Sequence, residues 1–155
     1  NSDIERKSID KTVRLIIVSK SQPISSIREL IKSGYHMYGE NYLDEAIKKI
    51  EEIDNNNLEW HFIGRIQSNK IKKIVKYFNW VQTISSEKHA RLLNEECQKL
   101  EKKLNICIQI NIDNEESKAG IMINEIDEFL NNISKYEYLS LRGARSRFQK
   151  RSPRD

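Results

Sequence analysis

This sequence is poor in the residues that advertise specialised chemistry. It has two cysteines, Cys97 and Cys107, with no metal-ligand spacing and no secretory context. A cysteine-held metal and a disulfide framework are thereby excluded, and both residues read as reduced thiols in a cytoplasm. No apolar run approaches the length of a membrane span, and no signal peptide opens the chain. Without a secretion signal, the glycosylation-type triplet Asn132-Ile133-Ser134 carries little weight. No glycine-rich fingerprint follows the first strand, which argues against a nucleotide-binding fold. The first residue is Asn1 rather than Met, which fits a missing or processed N-terminal piece.

An excess charge of one sign is also missing from most of the chain. The formal net charge is +4, yet residues 1–142 hold 22 basic and 22 acidic residues. The whole excess lies in the last thirteen residues, in Arg145, Arg147, Lys150, Arg151 and Arg154 against Asp155. The body therefore gives no electrostatic reason to expect specific nucleic-acid binding. What is present is 155 residues, 37% hydrophobic and 32% charged, enough for one soluble domain with a real core. Ile, Asn and Lys are abundant throughout, so any single lysine is weak evidence on its own.

The stretch Leu15 to Lys20, LIIVSK, reads as a strand buried on both faces that ends in a small polar residue and an amine. In βα proteins, ligands sit where strands end and helices begin. Burial there would disfavour the ammonium form and leave an amine able to form a Schiff base with an aldehyde. Taken alone, the stretch fits an ordinary surface lysine better.

The rest of the chain alternates. A first strand over Val13 to Ser19 precedes a helix begun by Pro23 and ended by Gly34, with Ile24, Ile27 and Ile31 on its apolar face. Strands follow at His36 to Tyr38, Leu58 to Ile63, Trp80 to Ile84, Leu104 to Ile112 and Tyr138 to Leu141. Between them, helical spacing recurs at Leu43, Ala46, Ile47 and Ile50; at Ile71, Ile74, Val75 and Phe78; at Ala90, Leu93, Cys97 and Leu100; and at Ile126, Phe129, Leu130 and Ile133. Asn41, Ser68, Ser85 or Ser86, and Asn124 are placed to cap these helices. Cys97 then reads as a packed thiol rather than a nucleophile. The lysines at 70, 72, 73 and 76 read as the solvated side of their helix.

The resulting βαβαβαβαβαβ order demands a parallel sheet. An open doubly wound sheet and a (β/α)8 barrel both satisfy it. Polar residues collect at the strand ends: Lys20, Asn41, His61, Gln67 to Asn69, Ser85, and Asn111 with Ser117 and Lys118. That one-sided clustering is how a barrel's active face would look.

Four stretches in order, LIIVSKSQP at 15–23, YGENYLDEAIKKI at 38–50, LEWHFIGRIQSNK at 58–70 and QINIDNEESKAGI at 109–121, resemble the pyridoxal-phosphate homeostasis protein family. That family is in turn similar to the N-terminal barrel of alanine racemase. The resemblance covers residues 13 to 143 and implies a (β/α)8 TIM-barrel-type domain of pyridoxal-phosphate fold type III. It implies pyridoxal 5′-phosphate held as a Schiff base on Lys20, with no established turnover and a role in intracellular cofactor homeostasis. Asn41 is similar to a family residue near the cofactor ring. His61 and the Ser68-Asn69 turn match positions facing the same pocket, and Lys118 is a second amine that could meet the aldehyde. Asn41 and Ser68 also fit plain helix caps, and His61 fits a hydrogen-bonded structural imidazole equally well. A racemase-like, cofactor-dependent enzyme is the alternative. It is disfavoured because two-sided proton transfer needs a second base, which racemases of this fold take from a further domain.

After Leu141-Arg142-Gly143 the sequence departs from the family pattern. Residues 1–143 are therefore expected to form a partial barrel of about six of the eight βα units, and 144–155 a basic, disordered tail truncating it. A full barrel takes about 250 residues. Two exposed sheet edges, poor stability and weakened cofactor retention are expected, because barrel phosphate sites usually come from the loops after strands seven and eight. The remaining expectations are a monomer, a small-molecule partner, no specific nucleic acid, no membrane and a cytoplasmic location.

Overall fold

Among the described residues, five helices need an apolar surface to cover, and the strands between them supply it. The computed structural model describes residues 14–112 and 119–146. In chain order the elements are β1 (Ile17–Val18), α1 (Ile24–Lys32), β2 (Met37–Glu40), α2 (Leu43–Ile53), β3 (Glu59–Phe62), α3 (Ile71–Tyr77), β4 (Trp80–Ile84), α4 (Glu87–Lys99), β5 (Leu104–Asn111), β6 (Ile121–Met122), α5 (Ile126–Ile133) and β7 (Leu139–Ser146). Short 3₁₀ turns at Ser68–Lys70 and Ile123–Glu125 lead into α3 and α5.

Every strand pairing is parallel, and the sheet order runs β1-β2-β3-β4-β5, with both β6 and β7 on β5. From β1 to β5 each strand lies beside the next one in sequence. An open doubly wound sheet would reverse that order at a switch point. The continuous order is the wall of a barrel, so the fold is a partial TIM barrel. The two-residue strand β6 was not foreseen; it is formed by Ile121 and Met122 opposite Ile110 and Asn111.

The core lies between the sheet and the helices. Tyr38, Trp60, Phe62, Val81 and Ile106 meet Ile27, Ala46, Ile74, Leu93 and Phe129 there, all buried. Tyr38 tilts against Trp60 at 5.4 Å, and Phe62 meets the edge of Phe78 at 5.2 Å. Cys97 is packed among them, and burial pushes its thiol up to about 11, as a structural cysteine requires.

Several expectations need correction. Val18 is 50% exposed and Leu15 39%, so the first strand is not buried on both faces. The reason is its place: among the described residues β1 pairs with β2 alone. Leu141 on β7, the other edge, is also 45% exposed. Of the proposed caps, Ser86 holds, its Oγ accepting from the His89 N–H at 3.3 Å. Asn41, Ser68 and Asn124 do not cap: α2 starts from Tyr42, and the other two sit inside 3₁₀ turns with no side-chain cap bond. Leu100 is exposed, because α4 ends at Lys99. β7 continues to Ser146, past the expected boundary at Gly143, while residues 147–155 lie outside the described residues.

Candidate functional site

The C-terminal ends of the strands border an open cleft of about 1170 Å³. Lys20 comes from the end of β1, Asn41 from β2, Gly64 and Arg65 from β3, Ser85 from β4, Asn111 from β5 and Arg145 from β7. Ile63, Ile66 and Ile110 supply apolar wall. Lys20, Arg65 and Arg145 are basic side chains, and no carboxylate lies among the described residues that line the cleft. In a body of balanced charge, this local excess favours an anion.

Lys20 stands on a tight turn. The Ser19 carbonyl accepts from the Gln22 N–H at 3.1 Å, and Ser21 adopts a left-handed φ of 59°. That is the third position of a type II turn, where glycine is usual. Lys20 itself is exposed, which corrects the expectation of a buried amine. The buried lysine is another one. Lys49 donates its three protons to the Ser19 carbonyl at 2.7 Å, Glu40 Oε1 at 2.8 Å and Glu45 Oε1 at 2.6 Å. Ser19 Oγ donates to the same Glu40 oxygen at 2.6 Å, and the Ser21 N–H donates to Glu45 Oε1 at 2.7 Å. The hydrogen bond from Lys49 holds the Glu45 carboxyl below its usual range.

Asn41, freed from capping, lines the cleft, and its Oδ1 is buried with no hydrogen-bond partner among the described residues. Such an atom is expensive unless something supplies a donor. The next loop is packed tightly on it, because a Cβ added at Gly64 would lie 2.0 Å from the Asn41 carbonyl oxygen. Thr83 Oγ1 donates to the Gly64 carbonyl at 2.6 Å, and Gln109 Nε2 to the Ala119 carbonyl at 2.8 Å. These bonds tie the floor of the cleft to β4 and β5.

His61 is not in the cleft lining. It points to the same inner side of the sheet but lies buried beneath, stacked on Trp80 at 5.1 Å. Gln82 Nε2 donates to its Nδ1 at 2.9 Å, so Nε2 carries the proton and donates to Glu59 at 2.9 Å. Burial lowers its pKa against the opposing pull of Glu59. Both nitrogens are thus occupied by protein, as a structural imidazole requires. Ser68 and Asn69 are absent from the described lining, while their neighbour Gln67 is there. Lys118 and Ser117 lie outside the described residues.

Sequence reasoning missed Arg65, Arg145 and the Glu40–Lys49–Glu45 cluster. Glu45 and Lys49 are four apart, a spacing that pairs charges on a helix and could have flagged them. Arg145 was set aside with the basic tail, yet it lines the cleft from β7.

Residues 1–151 match the alanine racemase N-terminal domain. The chain belongs to that family. The resemblance read from the four stretches holds as well. The pyridoxal phosphate homeostasis protein of Pasteurella multocida is 41% identical over 141 residues, 90% of this chain and 60% of that protein. Its counterpart in Escherichia coli K12 is 41% identical over 134 residues, 84% of this chain and 57% of that protein. This alanine-racemase-family chain therefore spans about 60% of the length of the curated relatives it matches. Among solved structures, PipY of Synechococcus elongatus with pyridoxal phosphate bound superposes with a TM-score of 0.87 at 29% identity, covering 98% of this chain and 71% of PipY. An alanine racemase of Clostridium difficile shares the fold at a TM-score of 0.77 and 17% identity, covering 96% of this chain and 39% of that one.

Proposed function

We propose that this chain binds pyridoxal 5′-phosphate in the strand-end cleft, with Lys20 as the attachment amine, and serves cofactor homeostasis without turnover. The observation that carries this reading is one amine and two arginines opening into a cleft whose described lining holds no carboxylate. The relatives' names and the cofactor in PipY support it.

The residues present fit the group. When bound, the cofactor supplies an aldehyde that condenses with a neutral amine, a C=N bond replacing C=O with release of water. Lys20 provides the amine from a turn fixed on both sides. Arg65 and Arg145 attract the phosphate. Asn41 Oδ1 would offer the bound group an acceptor, and Ile63, Ile66 and Ile110 would give it apolar wall. His61 serves from below, by holding Gln82 and Glu59 in place under the cleft.

Racemisation needs a second positioned base, and the relatives are named for cofactor homeostasis rather than for a reaction. A cytoplasmic setting suits the free thiols Cys97 and Cys107. No helix among the described residues is long and apolar enough to cross a membrane.

The test is chemical. The chain is incubated with pyridoxal phosphate, reduced with borohydride and digested, and the pyridoxyl mass is located. Label concentrated on Lys20 is the expected result. Label spread evenly over the surface lysines overturns the reading.

A further inference from the structure

Lys20 is flanked by two serines, and each is held by a buried or half-buried ion. On one side the Ser19 carbonyl takes a proton of Lys49, and the Ser19 hydroxyl donates to Glu40. On the other side the Ser21 N–H donates to Glu45. Lys49 joins the two carboxylates, 2.8 Å from Glu40 and 2.6 Å from Glu45. All three ammonium protons are spent on these acceptors, so Lys49 is not a second amine for an aldehyde.

The turn this network grips is strained. Ser21 has a φ of 59°, a region that disfavours a residue with a Cβ by about tenfold in population. Left to itself, residue 21 would relax toward negative φ. That would swing the peptide units on either side of it and carry the Lys20 side chain off its aim. The bond from the Ser21 N–H to Glu45 opposes that relaxation. Glu45 is anchored in turn, at the first turn of α2 and on the i+4 partner Lys49.

We propose that Glu45 is a positioning residue for Lys20, clamping the lysine-bearing turn in its left-handed conformation from the first turn of α2. This rests on the reading of Lys20 as the attachment amine. The clamp acts through backbone geometry, so Glu45→Gln, which keeps an acceptor oxygen for the Ser21 N–H, preserves it. Glu45→Ala releases it. Ser21→Gly removes the strain that makes the clamp necessary, because glycine populates positive φ about as readily as negative.

The experiment uses the full chain and compares wild type, Glu45→Ala, Glu45→Gln and the double variant Glu45→Ala/Ser21→Gly. The rate of borohydride-trapped pyridoxyl label on Lys20 is measured relative to an exposed lysine such as Lys73, and the exchange rate of the Ser21 amide is followed alongside. Glu45→Ala is expected to slow Lys20 labelling and speed Ser21 exchange, each by about tenfold. Glu45→Gln stays near wild type, and the double variant recovers most of the labelling rate. Lys20 labelling unchanged in Glu45→Ala, or not restored by Ser21→Gly, overturns the clamp. A general loss of stability would raise labelling at every lysine alike and would not be rescued by glycine, so that outcome also overturns it. If wild-type Lys20 labels no faster than Lys73, the cofactor reading fails on its own. Ser21 exchange then decides the clamp: acceleration in Glu45→Ala supports it, and an unchanged rate removes it.

Discussion

The two sides of this sheet share their strands but are built by opposite rules. The helix-facing side is apolar: Tyr38, Trp60, Phe62, Val81 and Ile106 pack against the helices, and their contribution scales with the area removed from water. The inner side is polar: Glu59, His61 and Gln82 form a hydrogen-bonded layer, with the cleft above it. There the worth of a residue lies in its partner, since an orphaned buried group costs more than a satisfied one gains. One strand therefore carries a core that tolerates repacking at one residue and a network that tolerates little at the next.

Four experiments would break or sharpen that contrast. Leu93→Ala, on the fully buried face of α4, should cost about 2–5 kcal/mol in a urea melt, through lost transfer energy and the cavity left behind. Gln82→Ala leaves His61 Nδ1 without its donor and should cost about 1–3 kcal/mol, with no comparable cavity. A cost equal to that of the core change would erase the distinction between the faces.

The third is a pH profile. Burial lowers the folded pKa of His61 below 6.5, so the unfolded chain takes up a proton that the folded chain refuses. Stability is full above about pH 6.5 and falls as pH drops through the depressed folded value. His89, also lowered by burial, adds the same sign. His61→Gln should flatten part of the decline in melting temperature between pH 7 and pH 5, leaving the share due to His89. A profile identical to wild type would show that the inner layer does not hold its imidazole neutral.

The smallest effect on stability is expected at the residue proposed as the attachment amine. Lys20→Ala, exposed at the cleft, should change the unfolding free energy by about 0.5 kcal/mol or less. Reductive labelling at that position disappears, with the background on other lysines unchanged. A large loss of stability would mean that Lys20 is a structural residue after all.

Most of the fold was legible because periodicity is local. Helical spacing at Ala90, Leu93 and Cys97, and alternation through Ile106 and Ile108, need no distant partner to be read. The caps at Asn41, Ser68 and Asn124 were misread because a cap depends on a backbone angle that residue type only favours. Burial of Leu15 and Val18 was misread for a different reason. An apolar run states what a strand could bury, while its neighbours determine what it does bury.

The candidate site divides in the same way. Lys20 and Asn41 could be named from short stretches because strand ends in an alternating chain are recognisable one at a time. Lys49 drew no notice, and no linear pattern joins Ser19, Glu40, Glu45 and Lys49 into one cluster.

By itself, the order of residues determined the alternation of strands and helices, the candidate amine at the first strand's end and the membership of the family, since each is written in contiguous stretches. Only the tertiary structure decided which lysine is buried, which arginines reach the cleft and which histidine is closed off by its neighbours. Those outcomes depend on what lies across the sheet, and the chain brings those partners together only when it folds.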